Sequence, residues 1–256
     1  MIRVKYLPVL LILVTVSTSV FAQRRAKTED SEESYKKFTS IGVTTNTNSG
    51  ILGGAVLRQS SALSSTFMGK NQYRYLALEI VNVKHPKELS TQDFATGARL
   101  VYGKENYLFV VRPEYGRELT LFNRHEDEGI SISGIVAAGP SLGLEKPYMV
   151  QYQTSAGHIV TEPFDPIKHA ASSANTGIVG AGGFFQGFGL TKIVPGIHIK
   201  TALSFELSAF RENVTGLEIG FVAEAFARKI DIMAYADNRS VYTSGYITLY
   251  FGNKKR

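Results

Sequence analysis

From Ile197 onward the chain alternates. Odd positions hold Ile197, Ile199, Thr201, Leu203, Phe205, Leu207 and Ala209; even positions hold His198, Lys200, Ala202, Ser204, Glu206 and Ser208. A period of two places these sets on opposite faces of a strand. After a short Arg211-Glu212-Asn213 turn, Leu217, Ile219, Phe221, Ala223 and Ala225 alternate with Gly216, Glu218, Gly220, Val222 and Glu224. A last strand sets Val241, Thr243, Ile247, Leu249 and Phe251 against Tyr242, Ser244, Tyr246, Thr248 and Tyr250. These strands run to about 11–14 residues, whereas a strand of a soluble domain has about 5–6 and a tilted membrane-crossing strand needs roughly 9–11. Length therefore points to a membrane barrel.

Earlier segments follow the same pattern less cleanly. Tyr107, Phe109, Val111 and Tyr115 oppose Leu108, Val110, Arg112 and Glu114, and Ile130, Ile132, Val136 and Leu142 oppose Ser131, Ser133, Ala137, Gly139 and Ser141. Tyr73 to Val83 is apolar on both faces apart from Glu79, and its Tyr, Ile and Val content favours strand. Residues 39–58 read either as one long strand kinked by glycines or as a hairpin turning at Asn48-Ser49-Gly50. Glu145-Lys146-Pro147 reads as a second tight turn, and 59–72 and 163–190 as longer links. The fold class expected is all-β: an antiparallel up-and-down transmembrane β-barrel of eight strands, with ten as the alternative count.

The physical case is closure. Backbone groups go unsatisfied in hydrocarbon unless the sheet has no edges. Outward side chains must then be apolar, and inward ones small or polar. A soluble sandwich or lipocalin-like barrel would also alternate, but its polar face would carry more Lys and Glu. Here that face is rich in Gly, Ser and Ala, as suits a narrow interior. Tyr73, Tyr75, Tyr115, Phe122, Tyr148, Tyr152, Phe210 and Phe226 are candidates for aromatic belts at the membrane interfaces.

Composition agrees: the 256 residues include 24 glycines, 13 tyrosines and 15 phenylalanines, with no cysteine. Without cysteine there are no disulfides, no thiolate nucleophile and no lipid-anchored cysteine. Arg3 and Lys5, the apolar stretch Leu7 to Val16, and Val20-Phe21-Ala22 before Gln23 have the layout of a secretory signal peptide. The expected organisation is 1–22 signal peptide, 23–37 flexible polar lead-in, 38–252 barrel and 253–256 basic tail. Removing Arg3 and Lys5 lowers the formal net charge of +6 to +4. The basic residues are scattered, with no stripe for nucleic acid.

Seven charged residues fall on the expected interior face: Arg112, Glu114, His198, Lys200, Glu206, Glu218 and Glu224. The plain expectation is a network of ion pairs filling a narrow lumen, since buried charges must be paired or solvated. Eight strands leave space only for side chains. His125-Glu126-Asp127-Glu128 has metal-binding residue types without ligand spacing and reads as a solvated acidic loop. Residues 177–190 are glycine-rich but lack the context of a phosphate loop. Of the histidines, only His198 has interior serines and acids near it by pattern. Glu206, on the same strand face, lies more than about 20 Å along the strand, so any Ser–His–acid set must come from other strands. No catalytic, cofactor-binding or metal residue is assigned, and the chain is expected not to be an enzyme.

The phrases Val83-Lys84-His85-Pro86-Lys87-Glu88, Tyr102-Gly103-Lys104, Arg112-Pro113-Glu114-Tyr115-Gly116-Arg117 and Ser141-Leu142-Gly143-Leu144-Glu145-Lys146-Pro147-Tyr148 resemble an uncharacterised family of outer-membrane β-barrel proteins of the Bacteroidetes. The resemblance covers most of the mature chain and implies location and fold, with no activity to carry over. The chain departs from many such barrels in following Phe251 with Gly252-Asn253-Lys254-Lys255-Arg256. The function expected is that of a small outer-membrane barrel with a structural or interaction role, such as an accessory subunit of an envelope assembly. A narrow solute channel and a membrane-embedded hydrolase are the second and third readings. The expected partners are the lipid bilayer and envelope proteins, with no nucleic acid and no cofactor, and the working surfaces expected are links 59–72 and 163–190 together with the interior charges.

Overall fold

The computed structural model describes residues 35–92, 99–122, 130–169, 177–210 and 213–255. Thirteen strands follow one another: β1 (Lys37–Asn46), β2 (Gly50–Phe67), β3 (Lys70–Val83), β4 (Thr91–Gln92), β5 (Arg99–Leu100), β6 (Asn106–Phe122), β7 (Ser131–Pro147), β8 (Met149–Gln153), β9 (Ile159–Pro163), β10 (Gly177–Ala181), β11 (Lys192–Phe210), β12 (Asn213–Phe226) and β13 (Val241–Lys255). Eight of them close into a barrel in the order β1-β13-β12-β11-β7-β6-β3-β2, every neighbouring pair antiparallel. Each barrel strand lies beside the next one in sequence, and β13 returns to β1. This is the up-and-down transmembrane β-barrel. Two sheets lie outside the ring, β10-β8-β9 and the pair β4-β5.

Register sets the tilt. Paired positions run from Lys255 through Lys37, Ser61, Arg74, Arg117, Val136, Thr201 and Phe221 back to β13 at Gly245, ten residues away. A stagger of this kind obliges the strands to lean by about 35–45° from the barrel axis. Outward residues are apolar and exposed, among them Ile41, Val43, Leu57, Leu78, Ile80, Val136, Ile199, Ile219, Phe221, Ile247 and Leu249. Every carboxylate of the barrel strands points the other way: Glu79, Glu114, Glu118, Glu145, Glu206, Glu218 and Glu224 are all buried. The surface is thus apolar where a soluble protein's would be charged.

The near end of the barrel holds the start of β1 and the end of β13. Its links are Met68–Gly69, residues 123–130 and residues 211–212. The far end holds 47–49, 84–105, 148–191 and 227–240. The longest links therefore lie at the end away from the two described chain ends.

The strand boundaries differ from the sequence expectation in several places. Residues 39–58 form the hairpin, β1 and β2, so eight strands are reached by a different partition. Residues 59–72 are no link: β2 runs on to Phe67 and pairs with β3 back to Lys70 across a two-residue turn. Beyond Leu57 the outward face turns polar at Gln59, Ser61 and Ser65, which erases the alternation while the backbone ladder continues. Glu145-Lys146-Pro147 is no turn, because β7 stays paired with β6 as far as Asn106↔Pro147. The Lys146 ammonium packs over the Tyr107 ring at 4.9 Å. Asn253, Lys254 and Lys255 continue β13 against Lys37, Phe38 and Thr39 and do not form a separate tail. Lys37 begins β1, and Tyr35, assigned to the lead-in, stacks on Tyr73 at 4.3 Å. Residues 1–34, with the expected signal peptide, lie outside the described residues, as do 123–129.

The expected aromatic belts are corrected too. Tyr115 and Phe122 do face outward, but Tyr73, Tyr75, Tyr148 and Phe226 are buried, and Tyr152 lies half-buried in the small sheet; the Phe210 side chain is outside those described. The inward tyrosines fit because glycines oppose them. Gly216 pairs with Tyr250 and Gly220 with Tyr246, and a Cβ on Gly216 would stand 2.2 Å from the Tyr250 ring. A ring on one strand fills the space that the missing side chain leaves on its neighbour.

Candidate functional site

The polar interior is the candidate site, and it is stacked in tiers. At the near end Tyr35, Phe38, Tyr73, Val214 and Tyr250 form an aromatic floor. Arg58, from β2, lies above it with its guanidinium 5.3 Å from the Phe38 and Tyr75 rings and 5.5 Å from that of Tyr250. It pairs with Glu118 of β6 and with Glu218 of β12 at 3.3 Å, and donates to Ser204 at 3.2 Å. Cation–π contacts of this kind are strongest where water is excluded.

The middle tier centres on Lys200 of β11, whose ammonium is 3.2 Å from both Glu114 and Glu218. Tyr75 donates its hydroxyl to Glu114 at 3.1 Å, and Tyr246 donates to Glu218 at 2.6 Å. Above it, Arg112 of β6 grips both oxygens of Glu224 on β12, at 3.0 and 2.8 Å, and reaches Glu79 of β3 at 3.3 Å. Glu206 stands apart at the near end, bound to Lys254 at 2.7 Å. The far end is closed by an apolar plug: Ile230, Ile232 and Met233, from link 227–240, pack on Val81, Val83, Leu108, Val110, Val194 and Phe226.

Removing these ions from water costs several kcal/mol each, about what good geometry and added hydrogen bonds return. The tiers meet that demand: each cation has two carboxylate partners, and tyrosine or serine hydroxyls take up further oxygen valences. Such a network holds strands together across the lumen and fixes their relative positions. Arg58, Lys200, Arg112 and their carboxylate partners are all buried.

All seven charges assigned to the interior from sequence lie there, and the structure joins six of them with their partners in the upper tiers. Sequence reasoning missed Arg58, Glu79, Glu118 and Ser141. Arg58 sits one residue before the stretch read as a link, and Glu79 interrupts a segment apolar on both faces. Glu118 lies past the point where the β6 pattern was followed. Ser141 was placed on the correct face but not beside His198.

Ser141, His198 and two glutamates do meet. Ser141 Oγ is 3.0 Å from His198 Nδ1 and donates to Glu224, while His198 Nε2 stands 4.0 Å from Glu114. The set is wrongly arranged for a nucleophile. With its hydroxyl proton directed at Glu224, Ser141 accepts from His198, which puts the imidazole proton on Nδ1, where a base would need a lone pair. His198 Nε2 has no hydrogen-bond partner, and Ser141 is fully buried.

The far-end links interlock around the plug. Lys104 pairs with Glu88, Arg228 pairs with Glu145, and Tyr102 stacks on Tyr235 at 6.0 Å. The Asn238 side chain accepts from the backbone of Ile232 and Met233 at 3.1 and 3.2 Å. Link 148–191 carries the three-stranded sheet, where Glu162 accepts from Lys168 and from His169 Nε2 at 2.9 Å. The glycine-rich stretch supplies β10 and a single 3-10 turn, Phe188–Leu190, and leaves Phe184, Phe185 and Phe188 exposed. His125-Glu126-Asp127-Glu128 lies outside the described residues.

No protein-family model matches the chain, and neither does any curated protein. Two solved structures are similar in outline. Neisserial surface protein A is 8% identical with a TM-score of 0.37, over 85% of this chain and 95% of that one. Ail, the attachment invasion locus protein of Yersinia pestis, in complex with the heparin analogue sucrose octasulfate, is 10% identical with a TM-score of 0.34, over 86% and 99%. Likeness of this degree says nothing of what this chain does, and the architecture rests on the strand pairing itself.

Proposed function

We propose that the chain is a closed outer-membrane barrel with a structural or interaction role, which holds its far-end links outside the cell as a surface for envelope partners. The observation that carries this reading is the filled interior. Arg58, Lys200 and Arg112 tie strands across the lumen between an aromatic floor and an apolar plug, which favours a structural role over solute passage or catalysis. The apolar outer face supports the membrane setting, and the long links gathered at the far end support a periplasmic near end. Export by the signal peptide at 1–22, and kinship with the uncharacterised Bacteroidetes barrels, belong to the same proposal.

The test is direct. The mature chain, folded in detergent, should give a β-rich circular dichroism spectrum and an unboiled gel band that shifts on heating. In planar bilayers it should pass no stepwise current. Steady unitary conductance would favour the narrow channel and overturn the closed reading, whereas a monomer that stays folded without detergent would overturn the membrane reading itself.

A further inference from the structure

Near the described chain ends the outer face of the barrel carries a row of polar residues. On the row of paired positions nearest the chain ends, Lys255, Lys37, Ser61, Arg74 and Arg117 stand side by side on β13, β1, β2, β3 and β6. Lys37, Arg74, Arg117 and Lys255 are all exposed. Lys37 is directly opposite Lys255, and Arg74 directly opposite Arg117. Like charges opposed across a ladder are destabilising unless something of the other sign lies between them. Among the described residues no carboxylate lies between them, because every described carboxylate of the barrel strands faces inward. Lys70, near the same end, is engaged by the Leu121 carbonyl, and Lys36 is exposed beside Lys37.

Beside Arg117 the outer wall is hollow. A concavity of about 780 Å³ runs over Leu121, Gly134, Val136, Leu203 and Phe221, with Arg117 at its margin. Gly134 contributes to the hollow by having no side chain, and the lining is otherwise mostly apolar. An anion-seeking pair therefore adjoins a slot for hydrocarbon.

We infer that Arg74 and Arg117 clasp the phosphate of an anionic phospholipid of the periplasmic leaflet, with one acyl chain lying in the hollow over Gly134 and Val136. The inference rests on the membrane reading above. Two guanidinium groups suit a phosphate diester, which offers oxygen acceptors to planar donor forks. The level suits it too, since Arg74 follows Lys70, the start of β3, by only four residues and Arg117 precedes Phe122, the end of β6, by five, and cationic side chains of that depth extend to the headgroups. Lys37 and Lys255 add general attraction for the same leaflet.

The experiment is native mass spectrometry of the full mature chain in detergent micelles, after incubation with equal phosphatidylglycerol and phosphatidylcholine of matched acyl chains. Heat-modifiable migration is checked on the same samples. The wild type should retain phosphatidylglycerol at least about tenfold over phosphatidylcholine. The double variant Arg74→Gln/Arg117→Gln should lose that preference, and Lys229→Gln, in a far-end link, should keep it. Equal retention of the two lipids by heat-modifiable wild type overturns the lipid site and leaves the barrel standing. Undiminished preference in the double variant overturns it as well. If the double variant fails to fold, loss of the wild-type preference in molar salt becomes the deciding measurement, and its persistence there overturns the proposal. A wild type that shows no heat-modifiable band overturns the membrane reading, and the site with it.

Discussion

Arg112 and Glu224 meet across the barrel lumen through two parallel hydrogen bonds, at 3.0 and 2.8 Å, from strands that are not neighbours. The pair is a tie rod between opposite walls. Removing Arg112 strands two desolvated carboxylates, Glu224 and Glu79, while removing all three charges leaves a gap of ordinary apolar kind. Arg112→Leu should lower the unfolding free energy in micelles by roughly 3–5 kcal/mol, read from the urea midpoint, and Arg112→Met with Glu224→Leu and Glu79→Leu should recover most of it. A loss below about 1 kcal/mol would mean that water reaches the pair.

Gly220 makes room for Tyr246. A Cβ there would lie 2.8 Å from the Tyr246 hydroxyl and 2.4 Å from the Thr201 carbonyl oxygen. Gly220→Ala should cost about 1–3 kcal/mol by overpacking. In a Tyr246→Phe background the cost should shrink by at least about 0.5 kcal/mol, because one of three obstacles is gone, the Ala202 Cβ at 2.8 Å being the third. Strict additivity in a double-mutant cycle would count against the glycine–tyrosine account.

The plug should behave as core. Ile232 is fully buried although it comes from a link, so Ile232→Ala should destabilise by about 2–5 kcal/mol. A value within about 0.5 kcal/mol of zero is what a loosely draped surface loop would give. Thermal melts of the heat-modifiable band distinguish the two.

Glu162 makes the three-stranded sheet sensitive to acid. The hydrogen bond from Lys168, with help from His169, holds its carboxyl below the ordinary value of 4.5. A depressed carboxyl pKa stabilises the folded form above the unfolded value, and the contribution is lost as pH falls through the folded one. Amide protection in 148–169, corrected for intrinsic exchange rates, should hold from pH 7 to about 5 and decline below about 4.5. Glu162→Gln should remove the step and leave the barrel's gel shift unchanged.

What could be read from the sequence was whatever the bilayer enforces. Ile197 to Leu207 and Leu217 to Ala225 had to be apolar on alternate positions, so their strands and their inward charges were evident. Where the wall leaves hydrocarbon the constraint lapses: after Leu57 the outward residues turn polar, and β2 disappeared from view at the point where Arg58 enters the network. Tyr73 and Tyr75 were misplaced because a tyrosine suits both a headgroup layer and a crowded lumen, and what lies opposite on the neighbouring strand, Gly116 in the case of Tyr75, is not visible in one strand's pattern. The meeting of Ser141 with His198 depends on the register between β7 and β11, which no single strand encodes.

The β1–β13 seam sets a schedule for assembly. Thr44 pairs with Thr248, and their hydroxyls bond at 2.7 Å, so β1 finds its second neighbour only 204 residues further along the chain. Until then β1 has an open edge that hydrocarbon cannot tolerate. Contacts this distant in sequence form slowly. The barrel must therefore stay aqueous or escorted until β13 is available, and a chain stopped at Phe226 would have seven barrel strands and no way to finish.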